Sequence, residues 1–384
     1  MSLPAPVERA RDDALREPAH DTRTAAMLGA ALGVGFLVCF ATGLLSHLIQ
    51  HPPGWFDWRP RPAGFYRVTQ GLHVATGLAV IPLLLAKLWA VFPHLFTWPP
   101  FRSVAHAVER LMLVPLVAGS TFMLFSGAAN IAQWYPWSFA FPVAHYWVAW
   151  ITVGALVTHI GAKLVTTRDA LFGRRQVPPP PAGAMSRRSY LSLTAGAAAF
   201  VTLTTVGQTV GPLRRLVLFA PRRPDIGPQG LPVNGPSTHE IRTAAQDPDY
   251  RLLVKGDVVT PLTFTLDDLR RLPQHEARLP IACVEGWSAT ARWRGVRVRD
   301  LLRLAGVEDD EQVEVVVHSL QRRGSYTHSR INDAQARDRD TLVALEVNGA
   351  VLHADHGFPC RLIGPNRPGV QQTKWLRDLT VTRL

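Results

Sequence analysis

Between Arg110 and Lys163 the chain carries no Asp, Glu, Lys or Arg. A soluble domain cannot hide a charge-free stretch of that length, because its outer face must meet water. Two helices of bilayer-spanning length can, because lipid solvates apolar side chains all round. Three further apolar runs make five in all: Ala25–Ile49, Thr69–Phe92, Arg110–Ala132, His145–Val165 and Tyr190–Pro212. The charged residues, 18% of the whole, gather instead in the C-terminal third. The expected fold is an all-α transmembrane bundle of five spans followed by a soluble α+β domain. The expected segments are a cytoplasmic tail 1–24, a four-helix membrane domain 25–170, a Pro/Arg-rich linker 171–189, a fifth span 190–212, a second linker 213–235 and a soluble domain 236–384.

Orientation follows from the short loops, since Lys and Arg accumulate on the cytoplasmic side. With the N-terminus inside, the inner segments carry twelve basic residues: Arg9, Arg11, Arg16, Arg23, Arg102, Arg110, Lys163, Arg168, Arg174, Arg175, Arg187 and Arg188. The outer loops carry three, Arg59, Arg61 and Arg67. Five spans then put the soluble domain outside the cytoplasm. The net charge of +12 belongs to this loop bias. No Lys/Arg stripe interleaved with aromatics is present, so a nucleic-acid partner is not expected. Three cysteines, Cys39, Cys283 and Cys360, form neither a CxxC nor a disulfide framework.

The soluble part alternates in character. RLLVKGDV and QVEVVVHSL read as strands, the run from Thr265 as a short capped helix, VRVRDLLRLAGV as a helix stopped by glycine, and TLVALEVNGAVL as a strand with an Asn-Gly hairpin turn.

The histidines carry the first chemical signal. His145 and His159 are 14 residues apart in the fourth run. On a helix that places them within about 40° of one face and about 21 Å apart along the axis. His73 lies near the outer end of the second run, with Gly71 and Gly77 beside it. Antiparallel spans bring His73 and His145 to similar depth, where two neutral imidazoles can hold one haem. The bland reading is that these are interfacial histidines. A second, inner haem on His159 needs a partner; the residue 14 after His73 is Lys87, and His106 is another candidate, while His47 at the outer end of the first run competes with His73. Residues 25 to 170 resemble the membrane cytochrome b subunits that pass electrons between quinones and extracytoplasmic oxidoreductases. The resemblance implies haem b, one copy or two, and a quinone or similar carrier as partner.

The second signal is Cys283, at the end of an apolar strand in LPIACVEGWSATARWRGVRVRDLL. Taken alone it reads as a buried structural cysteine. With Arg278, Arg292 and Arg294 nearby in sequence, a thiolate of lowered pKa and a soft-metal ligand is the alternative. Two motifs decide between them: CVEGWS, and the later DTLVALEVNGAVLHADHGFPCRLIGPNRPGVQQTKWLRDLTV. Together they resemble the molybdopterin-binding domain of the sulfite oxidase superfamily, nearest its methionine-sulfoxide-reductase branch. The resemblance implies a Mo-molybdopterin oxidoreductase in which Cys283 ligates molybdenum. It further implies that Asn234, His318, His356, Arg361, Gln372, Thr373 and Lys374 hold the pterin and its phosphate. The implied substrate is a small oxyanion or an S- or N-oxide, with a tilt towards reduction. A cofactor-free binding module and a plain cytochrome b carrier are the alternatives; loss of Cys283, or of Arg361 and Lys374, would favour them.

SRRSYLSLTAGAAAF, Ser186 to Phe200, then has a reading. A domain that holds molybdopterin folds before export, and paired arginines before a weakly apolar run resemble a twin-arginine signal, here internal and becoming the fifth span. Paired arginines obeying the charge rule are the alternative.

Overall fold

The computed structural model describes residues 17–95, 103–173 and 183–384, apart from 214, 217, 221, 224 and 325. Most of the expected tail, the linker arginines Arg174 and Arg175, and Arg102 lie outside the described residues. The chain divides into two compact units: residues 1–44 with 72–207, and residues 45–71 with 208–384.

Five long helices dominate the N-terminal half: α1 (Thr22–Gln50), α2 (Phe65–Leu95), α3 (Val104–Ile131), α4 (Phe141–Phe172) and α5 (Arg187–Val206). Each is long and apolar enough to cross a membrane. Large apolar side chains stand exposed along all five, among them Leu37, Trp89, Leu111, Ile151 and Leu193. The helices are apolar all round rather than on one stripe, the pattern of a helix without an aqueous face. Their hydroxyls are satisfied internally. Thr194, Thr204 and Thr205 on α5 donate to the carbonyls four residues back, at 2.9, 2.6 and 2.7 Å. Threonine-rich α5 therefore presents few unsatisfied polar atoms. At its start, Arg187 pairs with the Asp21 carboxylate and with Thr24 Oγ1, while Arg188 is exposed.

Among its described residues the second unit contains ten strands in two sheets. One has the order β2 (Leu262–Phe264), β1 (Leu252–Gly256), β10 (Leu376–Arg383), β5 (Val313–Ser319), β6 (His328–Ile331). The other runs β3 (His275–Ala282), β4 (Ser288–Arg297), β7 (Leu342–Val347), β8 (Ala350–Val351), with β9 (Arg361–Ile363) also paired to β7. Only the β1–β10 pair is parallel among these ladders. Its described residues also form four short α-helices: α6 (His239–Ala245), α7 (Leu266–Arg271), α8 (Val298–Leu304) and α9 (Asp333–Arg337).

Local chemistry explains the punctuation. Thr265 and Asp268 form a reciprocal capping box at the start of α7. Asn348 and Gly349 both have positive φ, 51° and 83°, as the tight β7–β8 hairpin requires. Alternation then sorts the side chains. Strand β5 buries every second residue, and its valines pack with Leu301, Leu302 and Leu379 in one core. Strand β4 turns Ala291 and Trp293 inward and Arg292 and Arg294 outward. A second core gathers Leu279, Trp287, Trp293, Leu342 and Ile363 around Cys283.

Candidate cofactor sites

The first candidate site lies in the second unit, where β3 runs into a tight turn. The Cys283 N–H donates to Trp287 O at 2.9 Å, and Gly286 N–H returns to Cys283 O at 3.2 Å. The turn needs the left-handed φ of 89° at Gly286. Asn234 Nδ2 donates to Cys283 Sγ at 2.9 Å. Glu285 is buried beside it and accepts from Trp287 Nε1 at 3.0 Å.

One expectation is corrected here. Arg278, Arg292 and Arg294 do not make a basic surrounding for the thiol, because strand alternation leaves all three exposed; Arg294 pairs with Glu346 at 3.0 Å. The free thiol is instead pushed up to about 12, by burial first and then by the Glu285 carboxylate. The Asn234 amide and the Arg222 charge offset only part of this. A buried thiol of this kind does not ionise alone at neutral pH; a bound metal ion would take the place of the proton.

Next to the cysteine stands a group of buried cations. Arg361, first residue of β9, is fully buried; it donates to His356 O at 3.0 Å and Gln372 O at 2.9 Å and lies over the Trp293 ring at 5.0 Å. Lys374 Nζ donates to the carbonyls of Asn234, Gly235 and Asp355 at 2.9, 2.6 and 3.0 Å. The same Asn234 thus touches both Cys283 and Lys374. Arg367 is fully buried too and donates to Gln335 Oε1 at 2.5 Å and to two carbonyls. Gly357, at φ 110°, would carry a Cβ within 3.0 Å of Arg361 Cβ and 3.2 Å of Lys374 Cβ, so glycine lets these two cations share one wall.

No ion pair joins Arg361, Arg367 or Lys374 to a carboxylate among the described residues. Burial pulls both arginines down to about 9, and burial with the Arg361 charge pulls Lys374 to about 7. The Nε of Arg361 and of Arg367 has no hydrogen-bond partner. Buried, unmatched positive charge is costly and calls for an anion. A phosphate-bearing cofactor fits this donor set, which offers guanidinium and ammonium groups next to a thiol ligand.

The remaining expected residues are placed as follows. His356 donates through Nε2 to Pro228 O at 2.8 Å, and burial holds its pKa down to about 4, so the ring is neutral. The Gln372 amide clamps Gly364 from both sides, Nε2 to its carbonyl at 2.8 Å and Oε1 from its N–H at 2.9 Å. Thr373 Oγ1 meets Ser329 Oγ at 2.6 Å. His318 stands apart: on β5 it pairs with Asp378 at 2.7 Å and packs against His328. Four residues beyond the sequence expectation join the group: Arg367, Glu285, Arg222 and Tyr326. Tyr326 is half-exposed, and its phenol is raised by burial and by Cys283 and Glu285, so it holds its proton. Arg367 sits in GPNRPG, inside the quoted motif.

The second candidate site lies in the first unit. The His73 and His145 rings meet in an edge arrangement, their planes 72° apart and their centroids 6.4 Å apart. Two imidazoles on opposite sides of one metal, with bonds of about 2 Å, have centroids roughly 6 Å apart. His73 Nδ1 meets Cys39 O at 2.9 Å and Thr42 Oγ1 at 3.2 Å; His145 Nδ1 meets Ser126 Oγ at 3.2 Å. Each Nε2 is thereby left for a metal, with its partner nitrogen oriented. A Cβ on Gly43 would come within 2.9 Å of His73 Cε1, and one on Gly127 within 3.8 Å of His145 Cε1. The pair fits a haem. His159 has no histidine partner of this kind among the described residues; its Nδ1 is unpartnered, and Lys87, Lys163 and Glu109 lie within electrostatic reach.

Comparison with known proteins bears on the domain that holds the first site. Residues 239–384 match the family "Oxidoreductase molybdopterin binding domain". The chain is 30% identical over 179 residues to a nitrate reductase [NADH] of Ulva prolifera, covering 38% of this chain and 21% of that one. It is 33% identical over 156 residues to the mitochondrial sulfite oxidase of Drosophila melanogaster, covering 35% and 27%. It is 35% identical over 133 residues to a protein of Azospira oryzae that carries, as a provisional assignment, the name protein-methionine-sulfoxide reductase subunit YedZ1, covering 35% and 49%. The matches thus span from a fifth to a half of these relatives' lengths. The C-terminal part of the chain, residues 239–384, is a sulfite-oxidase-like molybdopterin-binding domain.

Proposed function

We propose that the chain is a membrane-bound molybdenum oxidoreductase that transfers an oxygen atom at Cys283 and exchanges the electrons through haem b in its own helical bundle. The observation that carries this reading is the Cys283 thiol, joined through Asn234 to Lys374 in a set of cations, Arg361, Arg367 and Lys374, that make no ion pair with a carboxylate among the described residues. On this reading Cys283 ligates molybdenum. Asn234, His356, Arg361, Gln372, Thr373 and Lys374 hold the pterin and its phosphate, as does His318 if loading moves it from Asp378. Mo-molybdopterin supplies a two-electron redox centre able to accept or donate an oxygen atom.

The chain's own residues have definable tasks. Arg361 and Lys374 neutralise the phosphate, and the Trp293 ring fixes the guanidinium plane. Neutral His356 keeps its Nε2 proton on Pro228 O and leaves Nδ1 as an acceptor. Tyr326 holds a proton at its hydroxyl near Cys283. In the reducing direction a sulfoxide or N-oxide takes two electrons and two protons, giving sulfide or amine and water. Oxidation of an anion such as sulfite is the reverse bookkeeping. The CVEGWS context and the YedZ1 likeness favour reduction.

The helices support the membrane part. With α1 to α5 as spans, the tail 1–24 and the linker 171–189 lie in the cytoplasm of a bacterial cell. The bundle 25–170 holds haem between His73 and His145, and 190–212 is the fifth span with its twin-arginine-like Arg187 and Arg188. Linker 213–235 leads to the extracytoplasmic domain 236–384. Quinol is the electron source. An inner haem on His159 is the weaker half of the proposal, since a lysine stands where its partner is expected. A cofactor-free binding module has no use for three clustered cations that make no ion pair with a carboxylate among the described residues.

The test uses the purified full chain with its haem reduced by dithionite. Methionine sulfoxide or trimethylamine N-oxide should reoxidise the haem, and Cys283→Ala should abolish this. Haem that stays reduced with these substrates and with nitrate, while sulfite reduces oxidised haem, would reverse the direction. Haem inert to all of them would reject the coupling.

A further inference from the structure

The second unit contains a piece of chain that the family match does not cover: residues 45–71, the end of α1, its connection and the start of α2. One residue of the C-terminal domain, Asn366, binds this piece with every polar group it has. Its N–H donates to Ala63 O at 2.9 Å. Its carbonyl accepts from Trp58 Nε1 at 2.7 Å. Its side-chain Nδ2 donates to Arg59 O at 2.8 Å, and its Oδ1 accepts from Tyr66 N–H at 2.6 Å. Tyr66 is the second residue of α2, so its N–H is one of the donors a helix start leaves without a partner. Asn366 caps that helix from 300 residues away in sequence. It is 4% exposed and left-handed, φ 55°, a conformation that asparagine tolerates.

The neighbours of Asn366 matter more than the cap. Arg367, next in sequence, is one of the buried unmatched cations. Its guanidinium is held by Gln335 Oε1, and Gln335 Nε2 donates to Trp58 O at 3.2 Å. Pro368 then pairs with Ala282, the residue before Cys283. Ala282 itself packs in a small core with Ile49 and Tyr66, joined by Phe56 and Trp58. On the outer side Arg61 bonds Asp338 and Asp340 at 2.9 and 2.5 Å. The connection between the first two long helices therefore grips both residues that flank or hold Arg367, and supports the strand end that carries Cys283.

We propose that residues 58–66 are a strap that completes the cofactor pocket, with Asn366 as the positioning residue that fixes Arg367 and the Cys283 strand end. This rests on the molybdopterin reading of that pocket. The strap makes cofactor retention depend on the hairpin between the first two helices, not on residues 239–384 alone.

The test compares full-length, detergent-purified protein from a host that makes the cofactor. Asn366→Gly keeps the left-handed backbone and removes the two side-chain bonds. Trp58→Phe keeps the ring and removes one donor. The readouts are molybdenum retained per chain after prolonged gel filtration and the Mo(V) electron paramagnetic resonance signal, with the haem spectrum as a check on folding. Asn366→Gly should lose molybdenum about tenfold faster and show an altered Mo(V) signal, with a smaller change for Trp58→Phe. Wild-type retention and an unchanged signal in Asn366→Gly would overturn the strap and leave the cofactor reading standing. If Asn366→Gly also loses its haem spectrum, Trp58→Phe decides by the same two readouts. Wild-type protein without molybdenum would overturn both proposals.

Discussion

Lys374 gives the sharpest prediction, because its charge is paid for only when an anion is present. In the protein without cofactor, burial and the Arg361 charge pull its pKa from 10.5 to about 7, against the pull of Asp355 and Cys283. A cation whose folded pKa lies below its unfolded one opposes folding. The penalty is complete below the folded value and fades as pH rises towards the unfolded value. At about 1.4 kcal/mol per unit the whole depression corresponds to about 5 kcal/mol, of which about 2 kcal/mol is relieved between pH 7, where the group is already half titrated, and pH 9. Arg361 and Arg367, held down to about 9, add to the rise only at the top of that window, and the other buried groups leave it clear. His356, held down to about 4, has its effect below the ordinary histidine range. The Cys283 and Cys360 thiols, raised to about 12, lower stability only above the ordinary thiol value of 9.0. A phosphate beside Lys374 restores its charge and removes the slope. Hydrogen exchange of residues 361–376, corrected for the intrinsic pH dependence, is the assay. Protection should rise from pH 7 to pH 9 in protein from a host unable to make the pterin. It should be flat in loaded protein and flat in cofactor-free Lys374→Met. Equal slopes in loaded and cofactor-free protein, or protection that falls across the window, would refute the reasoning.

Three further outcomes follow from the same geometry. Cys283→Ala should remove molybdenum and lower oxygen transfer by more than about a hundredfold, since even outer contacts of a metal ligand are worth 10- to 100-fold; metal analysis and turnover check this. His73→Ala and His145→Ala should each abolish the bis-histidine haem spectrum, whereas Ser126→Ala should keep the haem and weaken its binding by about tenfold, read by haem titration. Trp293→Ala should cost about 3–5 kcal/mol in the second unit, because the side chain is fully buried, and should also loosen Arg361, seen as a lowered denaturation midpoint and faster cofactor loss.

The parts of this molecule that were legible in the sequence share a cause. Apolar length needs no tertiary context, so the five helices could be read directly, although α2 and α4 begin at Phe65 and Phe141, before the apolar runs start. Asn348-Gly349 and Thr265–Asp268 are local chemistry, and both form as written. Motif order likewise put Cys283, Arg361 and Lys374 on one list, and Asn234 joins them in space. What could not be read depends on strand alternation and on distant pairing. Arg292 and Arg294 are close to Cys283 along the chain, yet the pleat of β4 turns them to solvent. His318 lies on a strand whose register sets it opposite Asp378, and that carboxylate captures it. The bond between Asn366 and Tyr66 joins the C-terminal domain to the second long helix across 300 residues, and neither residue type signals it.

Molybdenum content per chain, measured on full-length protein from a cofactor-competent host, bears most directly on the central claim. The account predicts about one molybdenum per chain, lost in Cys283→Ala, as expected when a ligand to the metal is removed. Correctly folded protein that holds haem but no molybdenum, or molybdenum that survives loss of Cys283, would contradict it.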